Sequence, residues 1–334
     1  MSKQTIVVTG AAGFLGSHLT DALLANGYRV VGIDNLSHGS LENLQDALTN
    51  SDFEFHEIDV CDLPSFMRCA EQASTIAHLA AFKIPRYGKA IDTLVINSQG
   101  TYNALQVAAE HKAKFMLAST SDVYGKNPQV PFSETSDCVL GPSTIARWAY
   151  ATSKLCDEHL ALAFAEAQGI SVSIARIFGS YGPRQNLTWW GGPQSVFIGA
   201  VLRDEVIPIH GDGTQTRSFT YVSDTVNGLV RLVENGPSGE IFNIGNTREI
   251  SILELAKLIH RLSGTEHELR IQLVPYDQIG GRKYEDVLRR IPDITKAKKL
   301  LGFVPEVDLE EGLRRTIAWQ RELSLVKAET VIIG

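Results

Sequence analysis

At 334 residues, with 44% hydrophobic and 21% charged side chains, the chain has an ordinary globular composition and exceeds a usual single core, so two cooperating lobes are expected. Its net charge of −7 argues against a nucleic-acid partner, which calls for a basic field. No apolar stretch approaches the ~20 residues of a membrane span, and TIVVTG runs into a glycine turn rather than a signal peptide, so neither membrane nor export is expected.

Residues 6–9 form a short apolar run that ends in glycines, and a helical pattern follows over 14–25. Further runs at 29–34, 53–59, 75–80, 114–119 and 172–177 alternate with helical stretches near 63–72, 90–111 and 148–168. Buried runs separated by helices predict an α/β fold, a doubly wound parallel sheet of the Rossmann type. After Gly182 the rhythm breaks. Residues 181–193 are rich in Gly, Pro and Trp and read as a loop, followed by a helix over 194–203 and a strand over 206–209. Segments 218–221 and 241–244 look like strands returning to the sheet. Residues 251–263 and 309–321 carry helical periodicity, with Ser251 and Asp308 as N-caps. The expected division is a dinucleotide-binding domain over 1–182 with returning segments near 218–250, and a smaller, partly interleaved lobe over 183–217 and 251–334. Four cysteines (Cys61, Cys69, Cys138, Cys156) without C-x-x-C spacing suit a reducing cytoplasm, and nine histidines scattered without ligand spacing point to no metal.

Gly10-Ala-Ala-Gly13-Phe14-Leu15-Gly16 falls between the first strand and the first helix. Glycines there let backbone N–H groups approach a pyrophosphate at a helix N-terminus. Asp34 ends the second strand, placed to accept from adenosine ribose hydroxyls and to repel a 2′-phosphate, which favours NAD over NADP. The alternative is an ordinary strand-to-helix turn with a capping acid. Asp59 and Val60 close the third strand, where they would meet adenine, or where Asp59 would cap the next helix. Leu79-Ala80-Ala81 ends the fourth with small residues that permit close cofactor approach. Asn97 sits in a helical stretch with a role supporting the site.

Tyr150 and Lys154 are four apart on a predicted helix and share one face. A tyrosine is a weak base at neutral pH unless a nearby cation stabilises its phenolate. The preceding strand ends in Ser119-Thr120-Ser121-Asp122-Val-Tyr-Gly, and strand C-terminal ends are where such sheets bind ligands. Thr120 would bond the reacting oxygen beside Tyr150; plain turn chemistry explains the same cluster.

With these motifs, and with TQTRSF ending near Arg217 and RRIPD from Arg289, the chain resembles the extended short-chain dehydrogenase/reductase family, in its NAD-dependent nucleotide-sugar epimerase/dehydratase branch. The resemblance spans nearly the whole sequence. It implies a held NAD contacted also by Asn35, Ser37, Gly39 and Ser119, and transient oxidation of the sugar at C4 with Tyr150 as proton acceptor. It implies a nucleotide-sugar substrate, with UDP as nucleotide, contacted by Thr120, Gln194, Arg217 and Arg289, with Arg282 and Arg290 as further candidates. A homodimer through the helices near 90–111 and 148–168 is implied as well.

Members of the branch differ in the fate of the oxidised sugar. Dehydratases carry an Asp–Glu pair where this chain has Ser121 and Asp122, so one carboxylate is missing. Uronate decarboxylases carry Glu where Asp122 stands, so an acid is present but one methylene shorter. Epimerases tend to carry a small or neutral residue there, and Asp122 leaves that reading open too, or serves as a structural acid bonded to turn N–H groups. Some hexose epimerases carry Asn at the position of Gly179. Arg184, in a Gly-Pro loop, would then fork to a substrate carboxylate or pair with a protein acid. The expectation is an NAD-dependent 4-epimerase of a UDP-hexuronate or UDP-hexose, with UDP-glucuronate decarboxylase and then 4,6-dehydratase as alternatives. A non-catalytic NAD-binding module is the reading of a different class.

Overall fold

The computed structural model describes residues 3–83, 89–279 and 284–333. In chain order the first half comprises β1 (Thr5–Thr9), α1 (Phe14–Ala25), β2 (Arg29–Asp34), α2 (Gln45–Leu48), β3 (Phe53–Glu57), α3 (Leu63–Cys69), β4 (Ala73–His78), α4 (Ala90–Glu110), β5 (Lys114–Thr120), α5 (Trp148–Gln168) and β6 (Val172–Ile177). The second comprises β7 (Ser180–Tyr181), α6 (Pro193–Leu202), β8 (Ile207–His210), β9 (Thr216–Ser218), β10 (Thr220–Tyr221), α7 (Val222–Asn235), β11 (Glu240–Ile244), β12 (Glu249–Ser251), α8 (Ile252–Ser263), β13 (Ile271–Val274), β14 (Arg289–Arg290), α9 (Thr295–Leu301) and α10 (Leu309–Ile333).

Seven strands pair in parallel in the order β11-β6-β5-β4-β1-β2-β3. Strand alternation decides which side chain serves which layer. Ile6 and Val8 of β1 pack with Leu19 and Leu23 of α1 and Val226 and Leu229 of α7. Val7, between them, faces the other layer with Leu105 and Ala108 of α4, Ala161 of α5 and Phe66 of α3. Both faces are therefore covered, which is why the strands read as continuous apolar runs. The expected α/β doubly wound sheet is the observed one.

Of the two segments expected to return to the sheet, only β11 does. Residues 218–221 are divided around Phe219: β9 pairs with β12 and β14, and β10 with β7, outside the main sheet. Ser251 and Asp308 do cap, accepting from Glu254 N at 3.1 Å and Glu311 N at 2.8 Å. The strand order reverses between β1 and β4, so loops leaving their C-terminal ends diverge and open a cleft there.

Candidate active site

That cleft holds about 740 Å³, within the range of small-molecule sites. One end is built by the glycine turn. Gly10 has φ of +70°, and a Cβ on it would come within 2.9 Å of Ala80 N; a Cβ on Gly16 would fall 1.9 Å from Gly10 O. Only glycine lets β1, the turn and the end of β4 meet this closely. Asp34 Oδ2 accepts from Ala12 N at 3.0 Å and its Oδ1 from Leu36 N at 2.8 Å, which ties the turn to the end of β2. Burial raises the Asp34 carboxyl above its ordinary value, against the pull of those two bonds.

Gly13, Phe14, Leu15, Asn35, Ser37, Gly39, Asp59, Val60, Leu79, Ala80, Ala81 and Ser119 line the same cleft. Asp59 Oδ2 accepts from Asn35 Nδ2 at 2.8 Å, while its Oδ1 accepts from Cys61 N. Asn97 does not line it. Its Oδ1 accepts from Phe82 N at 2.7 Å and its Nδ2 donates to Phe82 O and Ser153 Oγ, so it braces the β4 exit against α5 from inside. Asn97 is thus placed behind the cleft wall rather than in it, because the buried face of α4 points it between these two elements.

The residues expected to react gather at the end of β5. Thr120 Oγ1 accepts from Asp122 N at 3.2 Å and shares a side-chain hydrogen bond with Tyr150. Burial, then the charges of Asp122 and Asp157, hold the Tyr150 phenol above its ordinary value; the Thr120 bond and Arg290 oppose them. Lys154 lies beneath rather than in the cleft wall, 1% exposed, its Nζ 3.0 Å from Asp157 Oδ2.

Asp122 faces a set of cations. Arg290 Nη1 donates to its Oδ1, and Arg147 Nη2 stands 3.7 Å from the same oxygen. Arg147 and Arg217 both reach Asp286 Oδ1, at 3.1 and 2.8 Å. Burial pushes the Asp122 carboxyl up, but Arg290, Arg147 and Arg217 outweigh it and hold it below its usual value. Arg217 is further fixed by donating to Thr216 O and Val287 O.

Of the neighbouring candidates Arg289 and Arg290, only the second is brought to the cleft. Arg289 points away and forks to Glu249 with two 2.8 Å bonds, while Arg290 lines the cleft. Adjacent strand residues face opposite ways, and the register of β14 on β9 turns the second one inward. Arg184 lines the cleft, yet its Nη1 is 2.6 Å from Asp21 Oδ2, the protein-acid pairing. Gln194 is buried at the start of α6, with no partner for its Nε2. Arg282 lies outside the described residues. Arg147 escaped the sequence reading, although its place three before Tyr150, in the turn entering α5, carries the signal.

Trp190 crosses the opening, with its ring centroid 4.6 Å from that of His38 and 5.6 Å from that of Phe82. Trp189 stacks on His210 at 4.0 Å. A Cβ at Gly179 would lie 2.4 Å from Ser218 O, so an asparagine there is excluded by the backbone.

A family model described as GDP-mannose 4,6 dehydratase matches residues 7–316. The chain is 38% identical over 323 residues to the UDP-N-acetyl-alpha-D-glucosaminuronate decarboxylase of Bacillus cytotoxicus, covering 96% of this chain and 99% of that one. It is 38% identical over 322 residues to UDP-glucuronic acid decarboxylase 1 of Xenopus tropicalis, covering 96% and 73%. Among solved structures it is similar to UDP-glucuronic acid 4-epimerase from Bacillus cereus, crystallised with UDP-glucuronic acid and NAD: TM-score 0.85, 33% identity, 96% of this chain and 100% of that one.

Proposed function

Because the chain belongs to the GDP-mannose 4,6-dehydratase-type family of extended short-chain dehydrogenase/reductases, whose members are NAD-dependent nucleotide-sugar enzymes, we propose that it is a UDP-hexuronate decarboxylase. The observation that carries this reading is the acid at Asp122, held between Arg290 and Arg147 and lining the same cleft as Tyr150. The 4-epimerase expected from the sequence becomes the second reading, supported by the likeness to the Bacillus cereus enzyme.

NAD is the cofactor that fits the nucleotide end: the glycine cradle admits a pyrophosphate against the backbone, and Asp34 ends β2 where ribose hydroxyls need an acceptor. When bound it takes up and returns the hydride of sugar C4. Tyr150 receives the proton of the C4 hydroxyl, guided by Thr120, and the charge of Lys154 stabilises the phenolate. Oxidation leaves a C4 ketone β to the C5 carboxylate, so the C5–C6 electron pair can pass into an enolate as carbon dioxide departs.

Arg290 and Arg147 supply the fork that orients this carboxylate. Asp122, kept ionised by those cations, sets negative charge beside it and disfavours its persistence. A neutral group there would leave the carboxylate in place for epimerisation. The diphosphate falls to Arg217, and the aromatic loop with Trp189 and Trp190 covers the ligand.

The exposed apolar stripe on α4, with Ile91, Val95 and Tyr102 at 60%, 55% and 41% exposure, fits pairing with a second copy as a homodimer. No helix among the described residues is long and apolar enough to cross a membrane, and the four free cysteines suit a cytoplasmic setting.

The test is a proton NMR time course with NAD and UDP-glucuronate, repeated with UDP-N-acetylglucosaminuronate. A UDP-pentose with release of carbon dioxide supports the decarboxylase. A C4 epimer that keeps its carboxylate moves the assignment to the second reading. No change with either sugar removes the decarboxylase and the uronate epimerase, and leaves epimerisation of a neutral UDP-hexose to be read with UDP-glucose and UDP-galactose.

A further inference from the structure

Beneath the reacting end of the cleft, α5 carries Tyr150, Lys154 and Asp157 on one face at spacings of four and three. Lys154 Nζ stands 3.0 Å from Asp157 Oδ2, with the side chains 1% and 0% exposed. A wholly buried ion pair gives little net stability, because desolvating both charges offsets their attraction. Its position behind the proton acceptor offers a functional reason for it.

We propose that Asp157 is a positioning residue for the acid–base pair: its carboxylate draws the Lys154 ammonium away along the helix and shares its charge, so that Tyr150 feels only part of that field. This rests on the reading of Tyr150 as proton acceptor and Lys154 as its cation.

The surroundings leave Asp157 to this task. Thr101 on α4 lies beside it, with its hydroxyl 3.3 Å from His78 Nε2. His78 on β4 lies near Lys154 and is held neutral by burial, with the Lys154 charge adding to the effect. The neighbouring acid, Glu158, is committed to Arg176 on β6 through contacts of 2.7, 3.0 and 3.2 Å, and to Ser119 on β5. On the other side of Tyr150 stand Asp122, after β5, and Arg290 on β14, already bonded to each other. Burial and the Lys154 ammonium act in opposite senses on Asp157, and burial is the larger effect. Its negative charge, together with that of Asp122, works against phenolate formation at Tyr150.

A residue seven positions along a helix lies about 10 Å away, where removing one charge shifts a titration by about one pH unit. The experiment is ultraviolet difference titration of tyrosinate in wild type, Asp157→Asn and Asp157→Glu, stripped of and loaded with NAD. Tyr150→Phe identifies the signal. The expected result is a Tyr150 titration about one pH unit lower in Asp157→Asn and restored in Asp157→Glu. The acid limb of kcat/KM should move with it while KM stays constant.

A titration that is unmoved, or that moves upward, overturns the proposal. Asp157→Ser serves in the same role should the asparagine variant fail to fold, as judged by thermal melting. Absence of turnover on hexuronates in wild type would defeat the decarboxylase reading, whereas the tyrosinate titration decides the role of Asp157 independently.

Discussion

Arg290 reaches Asp122 across 168 residues of chain, closing β14 against the end of β5 at the point where the reacting sugar would lie. The pair makes the acid of the STSD turn a charged, oriented group rather than a solvated turn residue. Removing Arg290 leaves Asp122 facing Arg147 at 3.7 Å and deprives the substrate carboxylate of its fork. A hydrogen bond to a charged group contributes about 1.5–3 kcal/mol, so Arg290→Ala should lower kcat/KM on UDP-glucuronate by about 10- to 100-fold. Arg290→Lys should recover little of it, since an ammonium lacks the planar fork. Equal activity of the lysine variant would show that charge alone suffices there.

Asp122→Asn separates the two halves of the reaction. Proton transfer at C4 depends on Tyr150, Thr120 and Lys154, whereas loss of carbon dioxide depends on charge beside C5. Carbon dioxide release should fall by about 10- to 100-fold, with a C4-oxidised or C4-epimerised sugar accumulating in its place. Labelled carbon dioxide capture alongside NMR of the sugar reads both. Release at the wild-type rate would mean that Asp122 only orders its turn.

Tyr150→Phe keeps the ring and removes the hydroxyl that Thr120 engages. Loss of a positioned acid–base group costs about 10²- to 10⁴-fold in kcat. NAD content of the purified variant should match wild type, because the glycine turn is untouched. Unchanged turnover in the variant would remove Tyr150 from the proton transfer, whereas no turnover in wild type together with unchanged cellular function of the variant would support the non-catalytic reading.

Much of this site is legible in the sequence, and what is missing has a physical reason. Gly10, Gly13, Gly16, Asp34 and the Tyr150–Lys154 pair are set by short-range geometry: a turn, a strand end, one helical face. Arg289 and Arg290 are neighbours whose orientation depends on the register of β14 on β9, and that register is fixed only when distant strands pair. Arg184 is drawn to Asp21 on α1, a contact across 163 residues that no local pattern carries. Asn97 is a polar residue on a helix; only the packing of α4 on α5 shows that its amide spans Phe82 and Ser153. The segment 218–221 has strand composition, but its pairing partners lie outside the main sheet.

The glycine cradle gives a prediction independent of chemistry at C4. In Gly16→Ala the added Cβ would sit 1.9 Å from Gly10 O, a contact with backbone that cannot swing aside. The turn must open, at a cost of about 1–3 kcal/mol. The variant should purify with little NAD and melt at lower temperature, and added NAD should raise its melting temperature by less than it raises that of wild type. Retention of a full complement of NAD would show that α1 shifts as a body to accommodate the methyl.

His78 predicts how stability depends on acidity. It is 1% exposed between β1 and α4, with Nδ1 2.8 Å from Thr9 Oγ1 and Nε2 3.3 Å from Thr101 Oγ1. Burial, and after it the charge of Lys154, lower its pKa to about 3. An unfolded histidine takes its proton near pH ~6.5, whereas the folded one stays neutral until far lower pH. Between those values the unfolded state binds the extra proton, so stability falls as pH falls, by up to about 1.4 kcal/mol per unit from this residue. Above pH ~6.5 the contribution is complete and flat. Carboxylates titrate in the lower part of the same window, so the readout is a difference: urea midpoints of wild type and His78→Gln from pH 7 to pH 5. The stability of wild type relative to the variant should decline with acidity over that range, where most carboxylates keep their charge. A constant difference would mean that His78 accepts its proton in the folded state, with the Thr9 and Thr101 hydroxyls turning to accept from both ring nitrogens.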